Sequence, residues 1–508
     1  MTSIATSAVD DWILGFHDPA DYGRARDVFT SAGYSEDGVR ATLGISDTLD
    51  QPRFALPSWL RRTSGGTPRD TLSRLFFLGT DVDVDAATRA VHPMPLGVWV
   101  NARLLSLETG QARPLVTVSP FRGLLFAGDL RKRLRAGSGE DFVLPVSKSA
   151  ALLARTMIDR PARTTLDLGT GCGIIGLLAS AFSEHVVATD KNVRAVEFAR
   201  FNARLNETAH VECLAGDLFE PVEGRRFDLM ISNPPYVIAP AARYAFSDRG
   251  VRGDEFCRRL VHLAPRYLED GGFCQVMGNW AHRSGGAWHE ALAEWFEGTG
   301  CDVLVWGADT QDASSYATLW IQQTQPDHVS RFTELYDEWM DYYDREGIEA
   351  VTYGLITMRR SPGRRNWIRF VKVPAGAVAP TGEHILRRFA ARDFLDVVAD
   401  DRQLLDQRLR LAADVRLEQH YAPRDEGFGA VTTRLHVSGD PGCYSMDVDP
   451  TVSTLVMSYR GERRLRDVFV EMATTTGVDL ERLVPGGLEV ARRLVENGYL
   501  VPADPPEG

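Results

Sequence analysis

The sequence predicts an α/β fold, a parallel sheet with helices on both faces, flanked on each side by mainly helical regions. Two observations carry this. From about Asp141, short buried-strand patterns alternate with helix patterns, and right-handed crossovers turn that alternation into a parallel sheet. Within it, a glycine-rich loop joins the first strand to the first helix, and acidic turns close the next strands.

The chain has 508 residues. At roughly 100–200 residues per domain, three or so domains are expected. We place them at 1–140, 141–375 and 376–508. The net charge of −12 argues against a general nucleic-acid magnet. The charge is uneven, however: residues 1–150 hold 17 Lys+Arg against 17 Asp+Glu, so the acid excess lies downstream. Arg131, Lys132, Arg133 and Arg135 form one basic cluster, either a solvated face or a phosphate contact. Only four of the 57 basic residues are lysine, an arginine bias that GC-rich codons produce. The six cysteines show no C-x-x-C spacing and no partnering histidines, which points to reduced thiols, a cytoplasmic setting and no metal site. No signal peptide is expected at the N-terminus, and no apolar run approaches the roughly 18 residues of a membrane span.

Residues 1–115 read as helices at Tyr22–Ala32, Asp37–Leu43, Asp70–Phe77, Ala86–Val91 and Leu96–Arg103. Leu104–Leu107 and Pro114–Val118 then flank a turn at Glu108-Thr109-Gly110. Helices followed by a hairpin resemble a winged helix; a plain helical recognition module is the alternative. The central pattern runs strand Thr164–Leu168, helix Gly173–Phe182, strand Val186–Asp190, helix Val193–Leu205, strands His210–Leu214 and Phe227–Ser232. It continues with helix Asp254–Leu268, strand Gly272–Met277, helix Ala287–Phe296 and strand Asp302–Trp306. Helices at Ala313–Gln323 and Ser330–Arg345 are read as an insertion before Val351–Met358, a late antiparallel strand closing the sheet; if Thr318–Gln322 is that strand instead, the domain ends near residue 325. In the last region Val452–Ser458, Leu465–Thr474, Asp479–Leu483 and Gly487–Asn497 lead into Gly498-Tyr499-Leu500-Val501. That ending suits either a small helical packing domain or a winged-helix-like docking module.

The glycine loop is Leu166-Asp167-Leu168-Gly169-Thr170-Gly171-Cys172-Gly173. Its glycines allow a tight turn and close approach of a ligand, and the helix that follows offers free N–H groups. Asp167, Gly169, Thr170, Gly171 and Gly173 are therefore candidate cofactor-binding residues. Asp190 ends the second strand, where a carboxylate can accept both hydroxyls of a ribose. Its neighbours Lys191 and Asn192 join the candidate set, although an acid before a helix can also be a plain cap. Gly216, Asp217 and Leu218 follow the third strand, where Asp217 can meet an adenine. Gly171, Gly173 and Gly176 also satisfy G-x-G-x-x-G, a weak dinucleotide signal. A nicotinamide enzyme gives no reason for Gly216-Asp217 or for the loop described next, so S-adenosyl-L-methionine (SAM) is the expected cofactor. Cys172 is read as a small filler.

Asn233-Pro234-Pro235-Tyr236 directly follows the fourth strand, at the carboxyl end where open α/β folds bind ligands. A planar amide or aromatic amine is a poor nucleophile because its lone pair is delocalised. The Asn233 side-chain oxygen and the Pro234 carbonyl can accept its two N–H bonds and turn the lone pair toward a methyl donor. Proline fixes the backbone that holds these acceptors. Tyr236 can stack on the planar target, and Asn233 also counts among the candidate cofactor-binding residues. An ordinary proline-rich turn is the plain alternative, weakened by the glycine loop and acids upstream.

Asp167-Leu168-Gly169-Thr170-Gly171-Cys172-Gly173, Asp190, Asn202-Ala203, Asn206, Gly216-Asp217-Leu218-Phe219-Glu220-Pro221 and Ser232-Asn233-Pro234-Pro235-Tyr236 together resemble the release-factor glutamine methyltransferases (HemK/PrmC-like) and their adenine- and guanine-modifying relatives. The resemblance covers about residues 141–280. It implies a Rossmann-like class I sheet, SAM and methylation of a planar nitrogen. Departures fall at Tyr244–Gly250 and at Met277-Gly278-Asn279-Trp280, Gly253-Asp254 stands in for the family's later glycine-aspartate, and the flanks match no short helical domain of that family. A macromolecular substrate is expected, either a translation-related protein glutamine or a ribosomal RNA base. The alternatives are a small-molecule enzyme and a non-catalytic SAM- or nucleic-acid-binding regulator. No membrane partner is expected.

Overall fold

The computed structural model describes residues 14–49, 54–130, 141–240, 254–284, 287–324, 331–373, 379–398, 400–424, 427–437 and 445–503. The basic cluster Arg131–Arg135, the departure at Tyr244–Gly250 and Gly253 lie outside them. The chain divides into two units. One holds 1–154 and 160–371; the other holds 155–159 and 372–508.

The first unit is built on an eight-stranded sheet. Its strands are β1 (Ala162–Leu168), β2 (Ser183–Asp190), β3 (Val211–Ala215), β4 (Phe227–Ser232), β5 (Leu268–Arg283), β6 (Cys301–Asp312), β7 (Ile348–Arg360) and β8 (Ile368–Lys372). Their spatial order is β8-β6-β7-β5-β4-β1-β2-β3. The order reverses beside β1, a switch point at which the strand ends open a crevice. β1 pairs in parallel with β2 and β4, β2 with β3, and β4 with β5; β7 runs antiparallel to β5 and β6. The helices are α1 (Ile174–Ala179), α2 (Val193–Leu205), α3 (Glu255–Leu263), α4 (Trp288–Ala293), α5 (Ala313–Thr324) and α6 (Phe332–Glu346). The expected α/β sheet, the antiparallel β7 and the helical insertion between β6 and β7 are all present.

β5 and β6 run far past the expected strands. Leu268 and Phe273–Val276 of β5 pair with β4, whereas Phe273–Arg283 pairs with β7. The antiparallel partner, not the parallel one, sets the length. Met277–Trp280 therefore lies inside a strand rather than in a loop after it. Between Leu268 and Phe273 the register slips. A Cβ on Gly272 would fall 2.8–2.9 Å from the carbonyl oxygens of Glu269 and Phe227, which requires glycine at this bulge.

The N-terminal part packs on this sheet domain. It has helices at Ala20–Ser31, Glu36–Leu43, Leu56–Arg62, Pro68–Leu72, Val84–Ala90 and Leu96–Asn101. The helix Leu56–Arg62 was not expected. The expected pairing around Glu108–Gly110 is corrected. Leu105–Glu108 pairs with Gln111–Pro114 through the two-residue turn Thr109-Gly110, both at positive φ (47° and 77°). Val116–Phe121 instead pairs with Leu124–Asp129 in a second hairpin.

The second unit carries two three-stranded antiparallel sheets. One orders Arg460–Arg464, Arg408–Leu411 and Leu500–Pro502; the other orders Val415–Arg424, Gly427–Val437 and Ser445–Val448. Helices Gly382–Val397, Asp401–Leu405, Pro450–Ser458, Leu465–Thr476 and Leu480–Glu496 enclose a core of Leu404, Leu409, Leu435, Val456, Phe469, Leu494 and Tyr499. The two helices expected at Asp479–Leu483 and Gly487–Asn497 are one, with Pro485 inside it. Pro485 is six residues into the helix, so little of the ladder precedes it. Gly487 faces the ring of Phe469, where a Cβ would sit 2.6 Å away.

Candidate active site

β1 delivers buried Leu166 and Leu168 to the core and then ends in the glycine loop. Gly169 and Gly171 hold φ of 74° and 57°, a region that favours glycine. A Cβ on either meets no protein atom within 4 Å, because both face a cavity of about 1300 Å³. The N–H groups of Gly169 and Thr170 both donate to the Thr189 carbonyl, 2.9 Å each, which binds the loop to the end of β2. Gly173 is different. Its φ is 89°, and a Cβ would meet Leu177 at 2.9 Å and the Ala199 backbone at 3.2 Å. It lies outside the cavity lining and serves the close packing of α1 on α2.

Asp167 is 2% exposed. Its Oδ2 accepts from the Thr170 hydroxyl (2.5 Å) and from the Gly176 N–H (2.8 Å). Burial outweighs these bonds and pushes its carboxyl up to about 6. The carboxylate thus shapes the loop from beneath. Asp190 sits at the end of β2 with Oδ2 accepting from Gly171 N (2.9 Å) and Oδ1 from Asn192 N (2.8 Å). Burial raises its pKa as well. The cap of α2 is Asn192, whose Oδ1 accepts from Arg194 N at 3.0 Å. Asp190 is not the helix cap, and its carboxylate lines the cavity.

Gly216 follows β3 with the Pro221 ring so close that a Cβ would fall 2.4 Å from it. Asp217 is exposed and 3.7 Å from Lys191 Nζ, and Leu218 holds φ 47°. Lys191, Asn192, Gly216, Asp217 and Leu218 all line the same cavity as the glycine loop. Cys172 is buried, its thiol donates to the Leu144 carbonyl at 3.4 Å, and burial pushes it up to about 12. An inert filler fits that setting.

Asn233, Pro234, Pro235 and Tyr236 also line this cavity. Ser232, the last residue of β4, donates its hydroxyl to the Leu168 carbonyl at 2.7 Å and so ties the loop to β1. Asn233 Nδ2 donates to Ser149 Oγ at 3.2 Å. Its Oδ1 is buried and, among the described residues, has no donor. An acceptor of that kind costs free energy unless a ligand N–H meets it. The Tyr236 hydroxyl shares hydrogen bonds with Ser149 and Tyr353, and burial raises its pKa. The two tyrosine rings lie 5.5 Å apart.

The sequence reading missed a wall of this cavity formed by Ser149, Asn279, Tyr316, Trp320 and Tyr353. They come from β5, β7, α5 and the segment before β1, and no local motif marks them. Among the described residues no group of His, Cys, Asp or Glu could hold a metal ion, and no helix is long and apolar enough to cross a membrane.

Residues 145–299 match the family model of the Methyltransferase small domain. Residues 31–115 and 387–502 match two domains of unknown function, DUF7059 and DUF7782. A putative protein N5-glutamine methyltransferase of Methanocaldococcus jannaschii is 32% identical over 139 residues, which are 26% of this chain and 69% of that protein. The chain belongs to the HemK/PrmC-like class I methyltransferases. The release factor glutamine methyltransferase of Geobacter sulfurreducens is 36% identical over 128 residues, 23% of this methyltransferase and 45% of the relative. This methyltransferase thus spans about half the length of that relative. Among solved structures, the M. jannaschii tRNA m1G37 methyltransferase covers 49% of this chain and 57% of its own at 13% identity, with a TM-score of 0.29. The YcgJ protein of Bacillus covers 42% and 99% at 17% identity, also with a TM-score of 0.29. Likeness that low has no bearing on function.

Class I methyltransferases use SAM, and the residues present fit it. Gly169 and Gly171 leave open the space that a Cβ would occupy, and a carboxylate stands at the end of β2. Gly169 and Gly171 would cradle the donor, Asp190 would hold its ribose, and Asp217 and Leu218 would flank its base.

Proposed function

We propose that this methyltransferase places a methyl group on the carboxamide nitrogen of a glutamine in a protein. The observation that carries the reading is the buried Oδ1 of Asn233, which no donor among the described residues meets, set in the cavity of the glycine loop. Bound SAM supplies an activated sulfonium methyl group. Asn233 Oδ1 accepts one amide N–H and the Pro234 carbonyl accepts the other, so the nitrogen lone pair turns toward that methyl. Transfer exchanges one N–H for N–CH3, breaks the S–CH3 bond and releases a proton. The named activities of the relatives support an amide target, and the net charge of −12 weighs against a phosphate backbone. The flanking domains are the elements we assign to recognition of a macromolecule.

The test is methyl transfer from labelled SAM into a lysate, followed by protease or RNase and mass spectrometry of the labelled fragments. Label on a glutamine is expected. Label that disappears with RNase identifies a base instead, and label confined to small molecules removes the macromolecular target.

A further inference from the structure

One residue breaks the regular pairing near the end of β6. Gly307 pairs with Gly354 and Asp309 with Tyr353, so Ala308 is an extra residue in the strand. A bulge of this kind reverses the face that each later side chain meets. Without it, Ala308 would oppose Tyr353, and Asp309 would turn to the far face opposite Thr352. The observed register sets Asn279, Tyr353 and Asp309 in one row across β5, β7 and β6, and all three line the cavity. Gln311 and Val351 follow on the same face. The other face holds Thr310 and Thr352, whose hydroxyl oxygens are 2.6 Å apart, with His282 Nε2 2.7 Å from that of Thr352. The bulge therefore turns a carboxylate into the cavity and keeps Thr310 out of it.

Asp309 is exposed, and its Oδ2 accepts from Gln311 Nε2 at 3.1 Å. Among the described residues no cation pairs with it. On the cofactor side of the cavity Lys191 and Asp217 lie 3.7 Å from each other. Around Asp309 the lining is aromatic instead, with Tyr353 opposite it and Trp320 on α5, and β5, β7 and α5 bring no charged side chain to it. A carboxylate among aromatic rings suits a guanidinium or an ammonium group.

We propose that Asp309 is a specificity-determining residue that receives the side chain of an arginine or lysine close to the target glutamine. The inference rests on the glutamine reading above. Tyr353 stands between Asp309 and the catalytic loop, its ring 5.5 Å from that of Tyr236. Directly opposed residues have Cβ atoms about 4.5–5.5 Å apart, so Asp309 lies about 10 Å from the Tyr236 ring. An extended peptide advances about 3.3 Å per residue, which sets the cation within about three residues of the glutamine. The carboxylate does not touch the reacting atoms. It favours one class of peptide and opposes a phosphate backbone.

The experiment compares the full-length chain with Asp309→Asn, Asp309→Glu and Asp309→Lys. Labelled SAM is the donor, and the acceptors are the protein and RNA fractions of a lysate from cells lacking this chain. SAM affinity, measured by calorimetry, should equal the wild type in all three variants and so establishes that they are folded. On serial dilution of the protein fraction, Asp309→Asn should raise the apparent KM about 10-fold and Asp309→Lys about 10²-fold, with kcat within about twofold. Asp309→Glu should recover most of the loss. Salt should raise the wild-type KM and leave that of Asp309→Asn nearly flat. Mass spectrometry should find Arg or Lys within about three residues of the labelled glutamine. A wild-type KM in Asp309→Asn and Asp309→Lys overturns the inference and leaves the glutamine reading intact, and so does a labelled glutamine with no basic residue in that span. A loss in kcat alone assigns Asp309 to strand positioning and overturns cation binding. Weaker SAM binding in Asp309→Asn moves the carboxylate to the cofactor and overturns it as well. Label in RNA alone overturns the glutamine reading and the cation subsite with it.

Discussion

The Asn202 carboxamide reads both backbone groups of Ala127. Its Oδ1 accepts the Ala127 N–H at 2.8 Å, and its Nδ2 donates to the Ala127 carbonyl at 2.9 Å. The same Nδ2 donates to the carbonyl of Cys172, in the glycine loop, at 2.8 Å. One helix turn on, Asn206 repeats the pattern with the backbone of Leu125. Helix α2 thereby acts as an extra edge for the hairpin strand Leu124–Asp129 and joins it to the cofactor loop. The N-terminal part is therefore continuous with the site through hydrogen bonds, although it carries no cofactor motif.

Asn202→Ala is expected to destabilise the first unit by about 2–4 kcal/mol, because three buried backbone groups lose their partner at once. Urea unfolding would show a lower midpoint at unchanged slope. SAM affinity should fall too, since the Cys172 carbonyl is freed within the loop. A midpoint within error of the wild type would show that water replaces the carboxamide.

Asp190→Ala is expected to weaken SAM binding by about 1–3 kcal/mol, the range for hydrogen bonds to a charged acceptor. Two losses combine: the ribose acceptor disappears, and the Gly171 N–H loses the carboxylate that holds it at 2.9 Å. Titration calorimetry decides this, and unchanged affinity takes Asp190 out of the site.

Where chemistry and local pattern coincide, the sequence was legible. Phe227–Ser232 and Val193–Leu205 match their observed bounds because an apolar strand run and an Asn192 cap mark them locally. The glycine loop, Asp190 and Asn233–Tyr236 meet in one cavity for the same reason: each is a strand-end signal, and parallel strands bring their ends together. Gly173 packs against Leu177 and Ala199 rather than lining the cavity, and a packing glycine and a ligand glycine look alike in sequence. The length of β5 and the wall of Asn279, Tyr316 and Tyr353 were hidden. They depend on which antiparallel strand and which inserted helix arrive beside them, and nothing near those residues records it. The hairpin after Leu104 slipped because Thr109, a β-branched residue, is an unusual occupant of a positive-φ turn.

Asp167→Asn is expected to change the pH dependence of stability. The folded carboxyl titrates at about 6, above its ordinary value of 3.8, so between those values the folded state binds more protons than the unfolded. Stability from this group is complete below 3.8 and is lost as pH rises toward 6. An asparagine keeps an acceptor for Thr170 and Gly176 without the buried charge. The variant should gain on the wild type from pH 4 to pH 6.5 by up to about 3 kcal/mol, at 1.36 kcal/mol per unit, and run parallel to it above pH 7. Thermal melts across that range test it, and a constant difference would mean that Asp167 keeps an ordinary pKa.

Asn233→Ala is expected to separate chemistry from cofactor binding. The side chain touches Ser149 on one side and offers a donorless oxygen on the other, so its removal opens no bond to the glycine loop or to Asp190. SAM affinity should stay within about twofold, whereas turnover should fall by roughly 10²–10³, the usual loss for one preorganised polar group. Asn233→Asp sharpens the test. An aspartate keeps an acceptor oxygen where Oδ1 stands, and the Ser149 hydroxyl can turn to donate to the other oxygen. A carboxylate accepts N–H bonds at least as well as an amide, so Asn233→Asp should bind the target but orient it less strictly, with activity between wild type and alanine. If alanine keeps the wild-type rate, the target nitrogen does not use this oxygen. If alanine and aspartate are equally dead while both bind SAM normally, the carboxamide's own N–H to Ser149 is what matters, and the Asn233 side chain positions the loop rather than the substrate.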